Sequence, residues 1–243
     1  MLTSSVLAHG NHCGWPNPAC NVYYAGQIGD TRAGSLGYSF GIKGGIKAQD
    51  LNLYDYSNDA NADWIGMTNF ASGAQWGQMG FAEGAWPNFS VHFSPDPYFE
   101  KNTACDGYSI TQLSSVGLFD TPQMWYTGNT MYCNGTTVYK YQVIRFSPQQ
   151  TIGTFWLPTP SARFDAVSEH IASTHMEPAG IKCFGTSSSC SVVSGLWDLY
   201  LYGLNPNQWT FWGSSRPTTI LAQGGYYHGS INQYRNFFTY GSW

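Results

Sequence analysis

The sequence predicts an all-β protein, a two-sheet antiparallel β-sandwich, on three observations. Short runs rich in β-branched and aromatic residues recur every 8 to 15 residues, with Gly, Pro and Asn between them. No long stretch carries a helical period. The 243 residues include 17 % aromatics and 28 glycines but only 10 % charged residues, against about 25 % charged in an average globular protein. That is the profile of a secreted, Tyr/Trp-rich β-protein with a surface of Ser, Thr, Asn, Gln and Gly. The length suits one large all-β domain, which we place at residues 36–243, after an irregular lead-in at 1–35 rich in Gly, Asn and Pro.

In chain order, a first strand pair is expected at Leu36 to Ile42 and Ile46 to Tyr54, separated by Gly44-Gly45. Three consecutive antiparallel strands follow between Ala62 and Asp96, broken at Ala71 to Ala74 and at Ala85 to Asn88. The middle one alternates, so Trp76 and Gln78 share one face and Met79 and Phe81 the other. A looping region from Pro95 to Gly135 holds strands at Tyr108 to Leu113 and Gln123 to Tyr126. Stronger strands are Val138 to Phe146, Gly153 to Leu157, Phe164 to Ser173 and Leu196 to Tyr202. Propensity alone permits a helix over Ala162 to Ala172, but the flanking Pro160 and Pro178 favour a strand. Trp209 to Trp243 adds two or three short strands.

Charge excludes some function classes. The net charge is −4, and the ten Lys and Arg form no cluster, so a nucleic-acid partner is not expected. No apolar run approaches the roughly 18 residues of a membrane span. Six cysteines lie in pairs near in sequence, Cys13 with Cys20, Cys105 with Cys133 and Cys183 with Cys190. This even count without metal-type spacing favours disulfides and an extracellular location, and local pairing is the expected connectivity.

Four glutamates, Glu83, Glu100, Glu169 and Glu177, are all the chain has. In strand phase Glu169 shares a face with Val167 and Ile171, and an acid on an apolar face is costly unless paired or protonated. Glu169 is thus a candidate general acid or base, while His170 faces the other way. The Gly37-Tyr-Ser-Phe-Gly41 match to a nucleophile elbow lacks the helix that must follow the serine. Asp59-Ala-Asn-Ala-Asp63 lacks the glycine and last acid of a calcium loop. His9, His12 and Cys13, and His170 with His175, lack the ligand sets of a built metal site. Neither metal nor cofactor is expected.

Trp64-Ile-Gly, then Gln78-Met-Gly-Phe, then Ala166-Val-Ser-Glu169-His-Ile resemble the glutamic peptidases of the eqolisin type and their bacterial relatives. Those proteins carry a Trp-Val-Gly strand, a Gln-x-Gly strand and a later Ala-Glu-Trp-Ile strand. Neprosin-type peptidases are a more distant likeness. The resemblance implies a concanavalin-like jelly roll and a secreted endopeptidase, often acid-active, working on polypeptides without metal. It implies Gln78 and Glu169 as the catalytic pair, with Glu169 activating water and the Gln78 amide holding that water and the oxyanion. Trp64, Trp76, Phe81 and His92 are the groove candidates beside them. Two stretches depart from the family: Val91-His-Phe-Ser-Pro-Asp stands where eqolisins have Trp-Tyr-Glu-Trp-Tyr-Pro, and His-Ile-Ala-Ser follows Glu169. Two other classes stay open. One is a non-catalytic glycan- or peptide-binding or self-assembling sandwich; the other is a glycoside hydrolase using Glu83 or Glu100 with Glu169.

Overall fold

The structure is a computed structural model, and it describes residues 21–30, 32, 36–53, 56, 59–69, 75–85, 91–146, 148–172, 181–182, 194–202, 208–213, 216, 218–222, 226–232 and 236–241. Among these there is no α-helix, and hence none long and apolar enough to cross a membrane. The described residues form two large antiparallel sheets, as the alternating pattern requires.

Sheet A runs in the order β17 (Thr218–Ala222), β1 (Asn21–Gly29), β13 (Ala162–Ala172), β5 (Ala60–Asn69), β6 (Gln75–Gly84), β7 (His92–Thr103) and β8 (Gly107–Gln112), with β2 (Tyr38–Ser39) also on β13. Sheet B runs β12 (Gln149–Leu157), β11 (Thr136–Phe146), β10 (Pro122–Cys133), β3 (Gly41–Ala48), β15 (Ser194–Tyr202), β19 (Asn236–Gly241) and β18 (Tyr226–Asn232). To it are added β9 (Phe119–Asp120) on β3 and β16 (Trp209–Phe211) on β15. β4 (Asn52–Leu53) pairs separately with β14 (Ile181–Lys182).

Two sequence expectations change here. The strand β1 lies inside the stretch read as an irregular lead-in, so sheet A begins before residue 36. Gly44-Gly45 does not separate two strands: β3 runs through both glycines. Pairing with β10 on one side and β15 on the other holds the backbone extended there, which offsets the weak strand preference of glycine. Among the described residues the final segment contains four strands rather than two or three.

The core lies between the sheets. Ile65 and Met67 of β5, Met79 and Phe81 of β6, Phe99 of β7 and Phe164 of β13 meet Ile42, Ile46, Met124, Tyr141, Phe155 and Leu201 of sheet B. Phe155 packs so close to β6 that a Cβ on Gly77 would lie 2.6 Å from its ring. That approach requires glycine. Cys105 and Cys133 form the expected disulfide, joining the β7–β8 turn of sheet A to the end of β10 in sheet B. Closing a 28-residue separation contributes on the order of 3 kcal/mol through the unfolded chain. Cys13, Cys20, Cys183 and Cys190 lie outside the described residues.

Candidate functional site

Period two assigns alternate residues of sheet A to its outer face, and the cross-strand register then arranges them in rows. One row is Asp165–Gly66–Gln78–Glu100, the next Val167–Trp64–Gly80–Tyr98, and the third Glu169–Ala62–Ala82–Asp96. A row of Arg163, Thr68, Trp76 and Asn102 lies on the other side of the first. Large side chains thus surround a floor of Gly66, Gly80, Ala62 and Ala82.

Gln78 is fully buried. Its Nε2 donates to Glu100 Oε2 at 2.9 Å and to the Tyr98 hydroxyl at 3.0 Å. Both amide protons of Gln78 thus have acceptors, the Glu100 carboxyl and the Tyr98 hydroxyl, and the amide nitrogen is turned toward them. Glu100 also accepts from the Tyr108 hydroxyl at 2.8 Å. Tyr108 is 45 % exposed and stands on the edge strand β8, so it links the buried cluster to the surface. Its ring meets Trp76 edge-on at 6.4 Å.

Asp165 occupies the other end of that first row, and is equally buried. Trp64 Nε1 donates to its Oδ1 at 3.1 Å and the Thr68 hydroxyl to its Oδ2 at 3.1 Å. Burial raises its pKa above the ordinary value, against the Arg163 charge and these two donors, which favour the carboxylate. An ideal Cβ on Gly66 would lie 2.5 Å from Asp165 Oδ1: the carboxylate leans over the glycine that separates it from Gln78. Gly66→Ala should therefore push the carboxylate aside with the sheet intact, because the clashing atom belongs to a side chain. Any hydrolytic activity should fall at least tenfold while the melting temperature moves little, as measured by paired kinetics and thermal unfolding.

Glu169 shares the face with Gln78 but makes no hydrogen bond to it. From strand geometry, its backbone lies about 13 Å along β13 from Asp165, whereas the Asp165 and Gln78 backbones are about 10 Å apart across two strand spacings. Glu169 is 2 % exposed and its Oε2 has no hydrogen-bond partner. Burial, and secondarily the charge of Glu100, push its pKa up to about 8. This carboxyl holds its proton across the acid range.

The chain has the architecture of known solved proteins. A scytalido-glutamic peptidase solved with a peptide-based transition state analog aligns over 92 % of this chain and 100 % of that chain, with a TM-score of 0.52 at 10 % identity. The same enzyme with a transition state analog inhibitor aligns over the same shares with a TM-score of 0.51 at 11 % identity. The fold is that of scytalido-glutamic peptidase. No protein-family model and no curated protein matches the sequence, so the eqolisin-type resemblance of Trp64, Gln78 and Glu169 meets its structural counterpart at the level of fold.

On this glutamic-peptidase fold the groove candidates separate. Trp64 and Trp76 lie on the outer face with Gln78, and Trp64 holds Asp165 rather than standing as a bare groove wall. Phe81 faces the inter-sheet core and is excluded from the groove, because its odd position puts it on the other side of β6. His92 sits at the opposite end of β7, with Nδ1 against Asp96 Oδ2, beside the Glu169 row rather than the Gln78 row. Glu83 also faces away, accepting from the Leu51 amide, so a glycosidase pair with Glu169 is open only to Glu100. The sequence reading missed Asp165 and Tyr98, and weighed Glu100 only as a glycosidase partner of Glu169. Strand phase carried a signal for each, since Asp165 is four residues from Glu169 and Tyr98 and Glu100 alternate on one strand. Among the described residues no group of His, Cys, Asp or Glu has the arrangement of a metal site.

Proposed function

We propose that this protein is a secreted peptidase that hydrolyses polypeptides with Gln78 and a carboxyl of β13 as its reacting pair, and that Asp165 is that carboxyl. The observation that carries the proposal is the row in which the buried Asp165 and Gln78 face one another across side-chain-free Gly66, on a fold shared with a glutamic peptidase.

A water held over Gly66 attacks the peptide carbonyl carbon while Asp165 takes its proton. Trp64 and Thr68 fix the carboxylate for this step. With Nε2 of Gln78 directed to Tyr98 and Glu100, its Oε1 is the end suited to accept from the attacking water. The Tyr98 hydroxyl, which accepts from Gln78 Nε2, is the O–H donor on the side where the carbonyl oxygen becomes negative. Asp165 then returns the proton to the amide nitrogen as the C–N bond breaks, leaving a carboxylic acid and an amine. Glu169, in the next part of the groove, is a second proton-bearing carboxyl that donates a hydrogen bond to the substrate backbone while it stays neutral.

This division sets a pH window. Asp165 has to be ionised, so the acid limb of activity lies above the usual aspartate pKa, and activity declines as Glu169 ionises near 8. The test is cleavage of an unfolded protein from pH 2 to 9 by wild type and Gln78→Leu. Cleavage in weak acid that Gln78→Leu reduces at least a hundredfold, with circular dichroism unchanged, supports the reading. No cleavage at any pH overturns it.

A further inference from the structure

We propose that a cavity on the outer face of sheet B is a binding site for an acidic carbohydrate, a glycan carrying uronate carboxylates. The cavity measures about 340 Å³, and Lys43, Gly44, Gly45, Phe119, Phe146 and Tyr200 are among the residues that line it. It lies on the opposite side of the sandwich from Gln78, because Lys43 points outward from β3 while Ile42 and Ile46 enter the core. The inference is therefore independent of the peptidase reading.

Lys43 supplies the charge. Its Nζ lies 4.7 Å from the Tyr200 ring centroid and 4.8 Å from that of Trp209. No carboxylate pairs with it among the described residues, and burial lowers its pKa. An ammonium held between two rings, with no carboxylate partner among the described residues, suits an anionic ligand. Lys47, on the same face of β3, is exposed and stands opposite Phe119, about 13 Å further along the strand. Two cations on one line fit a repeating anion rather than a single charge.

The walls supply the second half of the chemistry. Phe119 and Phe146 are each nearly half exposed, and the Tyr200 ring lies tilted against that of Phe211 with centroids 4.2 Å apart. Exposed flat rings beside hydrogen-bonding groups suit the apolar faces of sugar rings. The paired glycines in the middle of β3 let a ligand approach the backbone, which is where an interior strand glycine finds use. With a protein net charge of −4, diffuse attraction of polyanions is absent, so capture of an acidic glycan needs this local site.

The experiment is calorimetric titration of the full chain with an α-1,4-galacturonic acid octamer, a neutral maltooctaose and a peptide ending in a free Phe carboxylate. The acidic octamer should bind at least tenfold more tightly than the neutral one. Lys43→Gln should weaken it about tenfold, Lys43→Arg should retain it, and Tyr200→Ala should abolish it, all with unchanged circular dichroism and unchanged peptide cleavage. Equal affinity for both octamers, binding that Lys43→Gln and Tyr200→Ala leave unaltered, preference for the peptide, or no binding by wild type would each overturn the proposal.

Discussion

Asp165→Asn should lower kcat/KM for peptide cleavage by about a thousandfold, the range expected when a proton-transferring group is removed from a hydrolytic site. The substitution is nearly isosteric, so Trp64 Nε1 and the Thr68 hydroxyl keep a partner at that position, and the fold should persist. Glu169→Gln should cost less than tenfold near pH 5, because a neutral amide replaces a carboxyl already neutral there. It should also remove the alkaline limb of the pH profile near 8. The double variant Asp165→Asn with Gln78→Leu should be hardly slower than either single one, since residues acting as a unit do not add. The opposite ranking, with Glu169→Gln inactive and Asp165→Asn active, would transfer the catalytic role to Glu169 and defeat the row argument.

Thermal stability should fall markedly between pH 5 and pH 9. Burial, with Asp63 and Asp50 nearby, pushes the pKa of Glu83 from 4.5 to about 9. Burial and Glu100 push that of Glu169 from 4.5 to about 8. A carboxyl whose folded pKa lies above its unfolded one binds more protons when folded, so its contribution is complete below about 4.5 and is lost as pH rises through the folded value. Asp120 and Asp165 are shifted in the same direction by burial. Glu83→Gln, which keeps an acceptor for the Leu51 amide, should flatten the upper part of the curve and raise the melting temperature at pH 9 by several degrees. Melting temperatures across this range that are flat, or that rise with pH, would contradict the raised values.

The sequence by itself determined that the chain is all-β and which residues share a strand face. Strand phase put Trp76 with Gln78 and Met79 with Phe81, and those pairs do take opposite faces, the first outward and the second in the core, which removes Phe81 from the groove where it was expected. It was legible because the period of two is a local property of extended backbone. The Cys105–Cys133 pairing was legible for a related reason, since the two cysteines are near in sequence.

Tertiary structure alone decided register. Strand phase places Asp165 and Glu169 on one face and cannot say which of them stands opposite Gln78, because sliding β13 along β5 by two residues preserves every face. The pairing of Asp165 with Gly66, and through it the row that ends at Gln78, joins β13 to a strand about a hundred residues earlier in the chain, so no local signal records it. The same holds for Glu100 beneath Gln78 and for the Gly44-Gly45 stretch, a turn by composition that became continuous strand once β10 and β15 hydrogen-bonded its two edges.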